Sequence, residues 1–188
     1  QGQFGSIYAS ATLLSSFLLI WIGKKIDDIN IFKFALIVII LLSFSCFFIS
    51  KIHSIIFLFI AIFLMRFSGQ GMMSHTATTT ISRYFVKSRG KALSISWFGL
   101  SLAEFILPVL IVYLLTITTW QNIWISISIF VLFFLPVVSF ILIKDLKFES
   151  REESSTDNFD RKKIKQWKRI EVIKDPRFYI ICLNMLAM

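Results

Sequence analysis

The sequence predicts an all-α fold, a polytopic membrane helix bundle, and three observations carry that prediction. Of its 188 residues 56% are hydrophobic and 16% aromatic, with 21 Phe, while only 16% are charged; soluble domains are nearer half apolar and a quarter charged. The apolar residues gather in uninterrupted runs of about 20, the length a helix needs to cross roughly 30 Å of hydrocarbon. The charges sit in clusters between those runs. Runs of this length do not alternate in polarity as the strands of a membrane β-barrel would, and a helix satisfies its own backbone within lipid.

The first run, Phe4 to Ile22, carries the small residues Gly5, Ser6, Ala9 and Ser10, which favour close helix approach. Tyr8, Thr12 and Ser15 make a polar stripe along it, suited either to a water-filled path or to hydrogen bonding between helices. The second run is Phe34 to Ser50 and the third is Ile55 to Thr80, with Arg66, Gln70 and His75 inside it. Ala92 to Thr116 follows, with Glu104 and, one turn on, Pro108, where a kink is expected. Ile123 to Ile143 is the fifth.

Residues 1–143 are therefore expected to form the bundle, 144–175 a cytoplasmic linker, and 176–188 the start of a next span, whose apolar run opens at Phe178. In the linker, Ile164, Trp167, Ile170 and Ile173 have helical spacing, which fits an amphipathic helix on the membrane surface; a solvated, flexible linker is the alternative. Cys46 and Cys182 both lie in apolar runs and read as small hydrophobes, with no disulfide or metal framework.

Lys and Arg set the orientation, because short cytoplasmic loops hold the excess positive charge. Every basic residue except Lys51 and Arg66 falls in the segments 23–33, 83–91 and 144–177, which lie on one side if the runs alternate across the membrane. Those segments are read as cytoplasmic, in a plasma or bacterial inner membrane. The net charge of +9 thus marks topology, no nucleic-acid partner is expected, and the loops are suited to anionic lipid headgroups.

Ionisable groups within spans are costly and usually face a bundle interior or an aqueous cavity. Arg66 lies roughly 17 Å and Glu104 roughly 18 Å from a helix end, so both sit near mid-depth, within about 5 Å of one another along the membrane normal. Arg66 presents a planar donor fork that suits a carboxylate. Glu104 is read as its counter-ion in the empty state or as the acceptor of a coupling proton; a static pair that merely fastens two helices is the alternative. Gln70 shares the Arg66 face, one turn on, whereas His75 points the other way and reads as a packing residue.

Several motifs resemble those of the major facilitator superfamily. Gly23-Lys-Lys-Ile-Asp27-Asp28-Ile-Asn30 is similar to that family's gating loop between helices two and three, with Asp28 where an Arg is usual and Asn30 where a Gly is usual. Arg66-Phe-Ser-Gly69-Gln70-Gly71 is similar to its helix-four Arg and Gly-rich stretch, with spacing longer or shorter by about one residue than the commonest form. Tyr84-Phe85-Val86-Lys87-Ser88-Arg89-Gly90-Lys91-Ala92 resembles the signature loop of the monocarboxylate-transporter-like branch, and Trp120-Gln121-Asn122-Ile123-Trp124 the start of helix six.

The resemblance implies helices two to six of an N-terminal half lacking helix one, with the C-terminal half of the chain missing. It implies a secondary active transporter working by alternating access, with Gly23, Asp27, Tyr84, Phe85, Lys87 and Arg89 as gating-loop residues. Arg66, Gln70, Glu104, Tyr8 and Thr12 are the expected substrate-binding or coupling residues, the substrate being a small organic solute such as a monocarboxylate. No cofactor or metal is expected, and no Ser-His-Asp set, His pair or phosphate loop points to an enzyme. The competing reading is a non-transporting receptor or scaffold acting through the linker.

Overall fold

The computed structural model describes residues 2–85 and 88–143, and every regular element among them is helical. The chain divides into two units, Gln1–Phe148 and Glu149–Met188. The linker of 144–175, its amphipathic helix and the span beginning at 176 lie outside the described residues.

Helix α1, Gly2–Ile22, passes without a break into a 3-10 turn, Gly23–Asp27. Helix α2 is Ile31–Ile49, and it begins three residues ahead of the apolar run because Asn30 caps it, its Oδ1 accepting from the Phe32 N–H at 2.9 Å. The third span is one continuous rod of three segments: α3, Ile55–Met65; a π-helical segment, Arg66–Met73; and α4, Ser74–Tyr84. Helix α5 is Arg89–Ile117 and α6 is Trp120–Ile143. Among the described residues five helices are thus long and apolar enough to cross a membrane. Several ends run past the apolar stretches, as at Gly2, Tyr84, Arg89 and Trp120, since backbone hydrogen bonding continues wherever the residues tolerate it and polar ends reach the interface.

Helix α2 lies at the centre of the packing, touching α3, the π segment and α6, while α1 packs on α3 and the π segment. A small apolar core forms where the loop after α1 folds back: Ile26 of the 3-10 turn, Phe34 and Val38 of α2, and Phe67 and Met72 of the π segment are all buried together. Helix α5 touches α4 and α6 and has no buried residue.

Lipid tails are as apolar as Leu, so apolar contact alone does little to hold such helices together, and hydrogen bonds across interfaces matter more. Two buried serine pairs provide them. Ser43 and Ser128 join α2 to α6 reciprocally: the Ser43 hydroxyl donates to the Ser128 carbonyl at 2.9 Å and the Ser128 hydroxyl to the Ser43 carbonyl at 2.8 Å. Ser45 and Ser68 join α2 to the π segment, their oxygens 3.1 Å apart and both side chains fully buried. Most other hydroxyls are satisfied locally by the carbonyl three or four residues back, as with Ser6, Ser10, Thr76 and Thr80.

Candidate functional site

The centre of the third span departs from the α-helix where its residues favour departure. Ser68, Gly69 and Gly71 are poor helix formers for lack of side-chain packing or because they compete for backbone bonds, and eight residues, Arg66–Met73, take the wider π form. π-helical geometry is rare, and its usual single-turn form occurs frequently at functional sites. A Cβ on Gly71 would stand 3.4 Å from the Arg66 carbonyl oxygen, five residues back, and 3.5 Å from the Leu19 methyls. A Cβ on Gly69 would meet a Leu42 methyl of α2 at 3.4 Å. The glycines therefore let α1 and α2 approach the segment from two directions.

Toward α1 the segment also presents Arg66 and Gln70. Arg66 Nη1 donates to Gln70 Oε1, and the guanidinium carbon lies 4.3 Å from the centroid of the Tyr8 ring on α1. A cation held over an aromatic face gains from the ring quadrupole without losing its in-plane donors. Arg66 is half-buried, while Tyr8 and Gln70 are exposed. Three predicted residues from two helices thus meet in one group, and an oxygen-bearing ligand can reach the guanidinium edge.

The other predicted residues fall elsewhere. Thr12, one turn along α1, turns its hydroxyl to the Tyr8 carbonyl at 2.8 Å, and the buried Ser15 bonds the Thr12 carbonyl at 2.8 Å. Glu104 is exposed on α5 and forms no ion pair with Arg66, because α5 packs on α4 and α6 rather than on the π segment. Pro108 lies within the continuous α5. Tyr84 and Phe85, at the end of α4, are exposed and in edge contact at 4.8 Å, and Arg89 opens α5. Lys87 and the Asp27 side chain lie outside the described residues.

Two relationships have little signal in the sequence. His75 Nε2 is 3.1 Å from the carbonyl oxygen of Gly23, 52 positions away in the chain, so the nitrogen carries a proton and α4 holds the exit of α1. The sequence places His75 off the Arg66 face but does not name its partner. Leu19 reaches both Gly71 and Gly23 and so lies between the π segment and the loop. The π segment itself could be suspected from Gly69-Gln70-Gly71 following an in-span Arg, although glycines alone do not distinguish a π turn from a tight helix contact.

A multi-pass helical membrane protein with polar groups gathered inside one span is the class these features define. The family model of the Major Facilitator Superfamily matches residues 1–188, and the chain belongs to that family. It is a membrane transporter of the major facilitator type, a family whose members act on small-molecule substrates as carriers. No curated protein and no solved structure matches the chain.

Proposed function

We propose that the chain supplies one wall of a transport path for a small organic anion, with a monocarboxylate as the substrate and alternating access as the mechanism. The observation that carries this reading is the Arg66 guanidinium, bonded by Gln70 and backed by the Tyr8 ring within a π-helical segment. A cation fixed on two sides has lost its side-chain freedom before the ligand arrives, so less of the binding energy is spent on ordering it. Its remaining N–H groups offer a carboxylate two parallel, charge-assisted hydrogen bonds.

In this reading Arg66 and Gln70 bind the carboxylate, Tyr8 backs the guanidinium, and Thr12 borders the path. Glu104, a carboxyl at the middle of α5 with no basic partner among the described residues, takes the coupling proton, which makes the carrier a proton symporter or antiporter. The loop carrying Gly23 and Asp27 and the loop carrying Tyr84, Phe85, Lys87 and Arg89 serve as cytoplasmic gates, and the monocarboxylate-transporter-like branch fits their residues. The linker of 144–175 joins this half to a second one.

Uptake of radiolabelled lactate and pyruvate by the full-length protein in proteoliposomes, with and without a pH gradient, tests the reading. Concentrative uptake that Arg66→Ala abolishes and Glu104→Gln uncouples from the gradient is the expected result. Full uptake by Arg66→Ala would remove the site assignment; absence of uptake of any carboxylate would remove the substrate class.

A further inference from the structure

Ser68 stands midway between Arg66 and Gln70 in the chain. Side chains two positions apart on a helix diverge by about 160 to 200° around its axis. Ser68 therefore leaves the π segment on the side opposite the Arg66–Gln70 pair, and on that side it meets Ser45 of α2, oxygen to oxygen at 3.1 Å, with both residues at 0% exposure.

The proton count at this contact is informative. The Ser68 hydroxyl also lies 2.7 Å from the Leu64 carbonyl and the Ser45 hydroxyl 2.7 Å from the Leu41 carbonyl. Three oxygen contacts share two hydroxyl protons, so two are filled at a time, and the bond across the interface forms whenever either serine turns its proton from its own helix to the other serine. Both side chains are fully buried, so the two carbonyls and the opposite serine are the partners each proton chooses between. The contact is directional, and it acts at the level of the segment where the backbone is widest. Helix α2 is itself tied to α6 by the reciprocal Ser43–Ser128 bonds, so Ser45 is presented from an anchored helix.

We propose that Ser45 and Ser68 are positioning residues, which fix the rotation of the π segment and thereby the direction in which Arg66 and Gln70 face α1. The pair touches no substrate. It acts through the backbone between Ser68 and its neighbours on either side. The functional value of that direction rests on the reading of Arg66 and Gln70 as the carboxylate site, whereas the rotation itself does not.

Site-directed labelling of the full-length protein reads the rotation directly. Gln70→Cys is introduced in a background carrying Cys46→Ala and Cys182→Ser, and its reaction rate with the anionic sulfonatoethyl methanethiosulfonate is followed, beside a control Ser6→Cys on α1. Ser45→Ala and Ser68→Ala each shift the rate at position 70 by roughly three- to tenfold. The double alanine variant shifts it no further than either single one, because both remove the same bond, and the Ser6→Cys rate is unchanged. Unchanged rates at position 70, or single effects that multiply in the double variant, overturn the proposal. A parallel shift at the control would show general loosening and overturn it too. Lactate uptake by Arg66→Ala is read separately: if that variant transports normally while the labelling behaves as expected, the positioning role stands and the substrate role falls.

Discussion

The guanidinium of Arg66 lies over the ring of Tyr8 at 4.3 Å from its centroid, and this contact joins the first and third spans at the candidate site. A cation over an aromatic face is worth about 0.5 to 2 kcal/mol, or roughly two- to thirtyfold in an equilibrium constant. Tyr8→Phe keeps the ring and should leave the carboxylate KM near that of the wild type. Tyr8→Leu should raise it within that range. Equal KM values for the two variants would mean that the ring does not hold Arg66.

Gly71 and Gly69 should differ in what they tolerate. A side chain at Gly71 meets a backbone carbonyl, which cannot move without opening the π segment, whereas one at Gly69 meets the end of the flexible Leu42. Gly71→Val should cost about 1 to 3 kcal/mol through overpacking. Gly69→Ala should be close to neutral. Thermal melting of the detergent-solubilised protein compares them, and a Gly71→Val that melts with the wild type would show that the backbone has room to spare.

The reciprocal bonds of Ser43 and Ser128 predict coupling. The two hydroxyl oxygens also lie 3.0 Å apart, so either alanine variant removes that shared contact along with its own donated bond, and the second substitution should cost less than the first. Interaction energies across membrane helices average about 0.6 kcal/mol. A double-mutant cycle on unfolding in mixed micelles should give a coupling of that size, and strictly additive losses would reduce the contact to coincidence.

His75 should protect the end of α1. Lys24 and Lys25 follow Gly23 directly and are exposed, so trypsin reads how firmly that turn is held. His75→Ala should speed cleavage there in the solubilised protein, while His75→Gln, which retains a donor of similar reach, should cleave near the wild-type rate. The same rate in all three would leave the Gly23 carbonyl contact without a holding role.

Much of this architecture is legible in the amino-acid sequence because membrane helices are written in a physical quantity, run length against bilayer thickness, that needs no partner to interpret. All five spans, and the alignment of Gln70 with Arg66, follow from that and from helical periodicity. Helix ends were less legible: Asn30 moves the start of α2 to Ile31 by capping, a local bond that hydropathy does not register. Contacts between spans were less legible still. Run length puts Arg66 and Glu104 at one expected depth, yet depth says nothing about which helix neighbours which, and the described structure seats Arg66 against Tyr8. The serine pairs were hidden for a related reason. A serine bonded to its own helix and one bonded across an interface look the same in sequence.

Those serines bear on the surroundings the protein can live in. Acyl chains of any length or saturation can take the place of a leucine neighbour, so adhesion built from leucine contacts is negotiated afresh with each membrane. A tail has no proton to give and no lone pair to offer. The joins at Ser43 with Ser128 and at Ser45 with Ser68 are consequently ones for which lipid does not compete, and the mutual arrangement of α2, α6 and the π segment is set by the chain rather than by the bilayer in which it is dissolved.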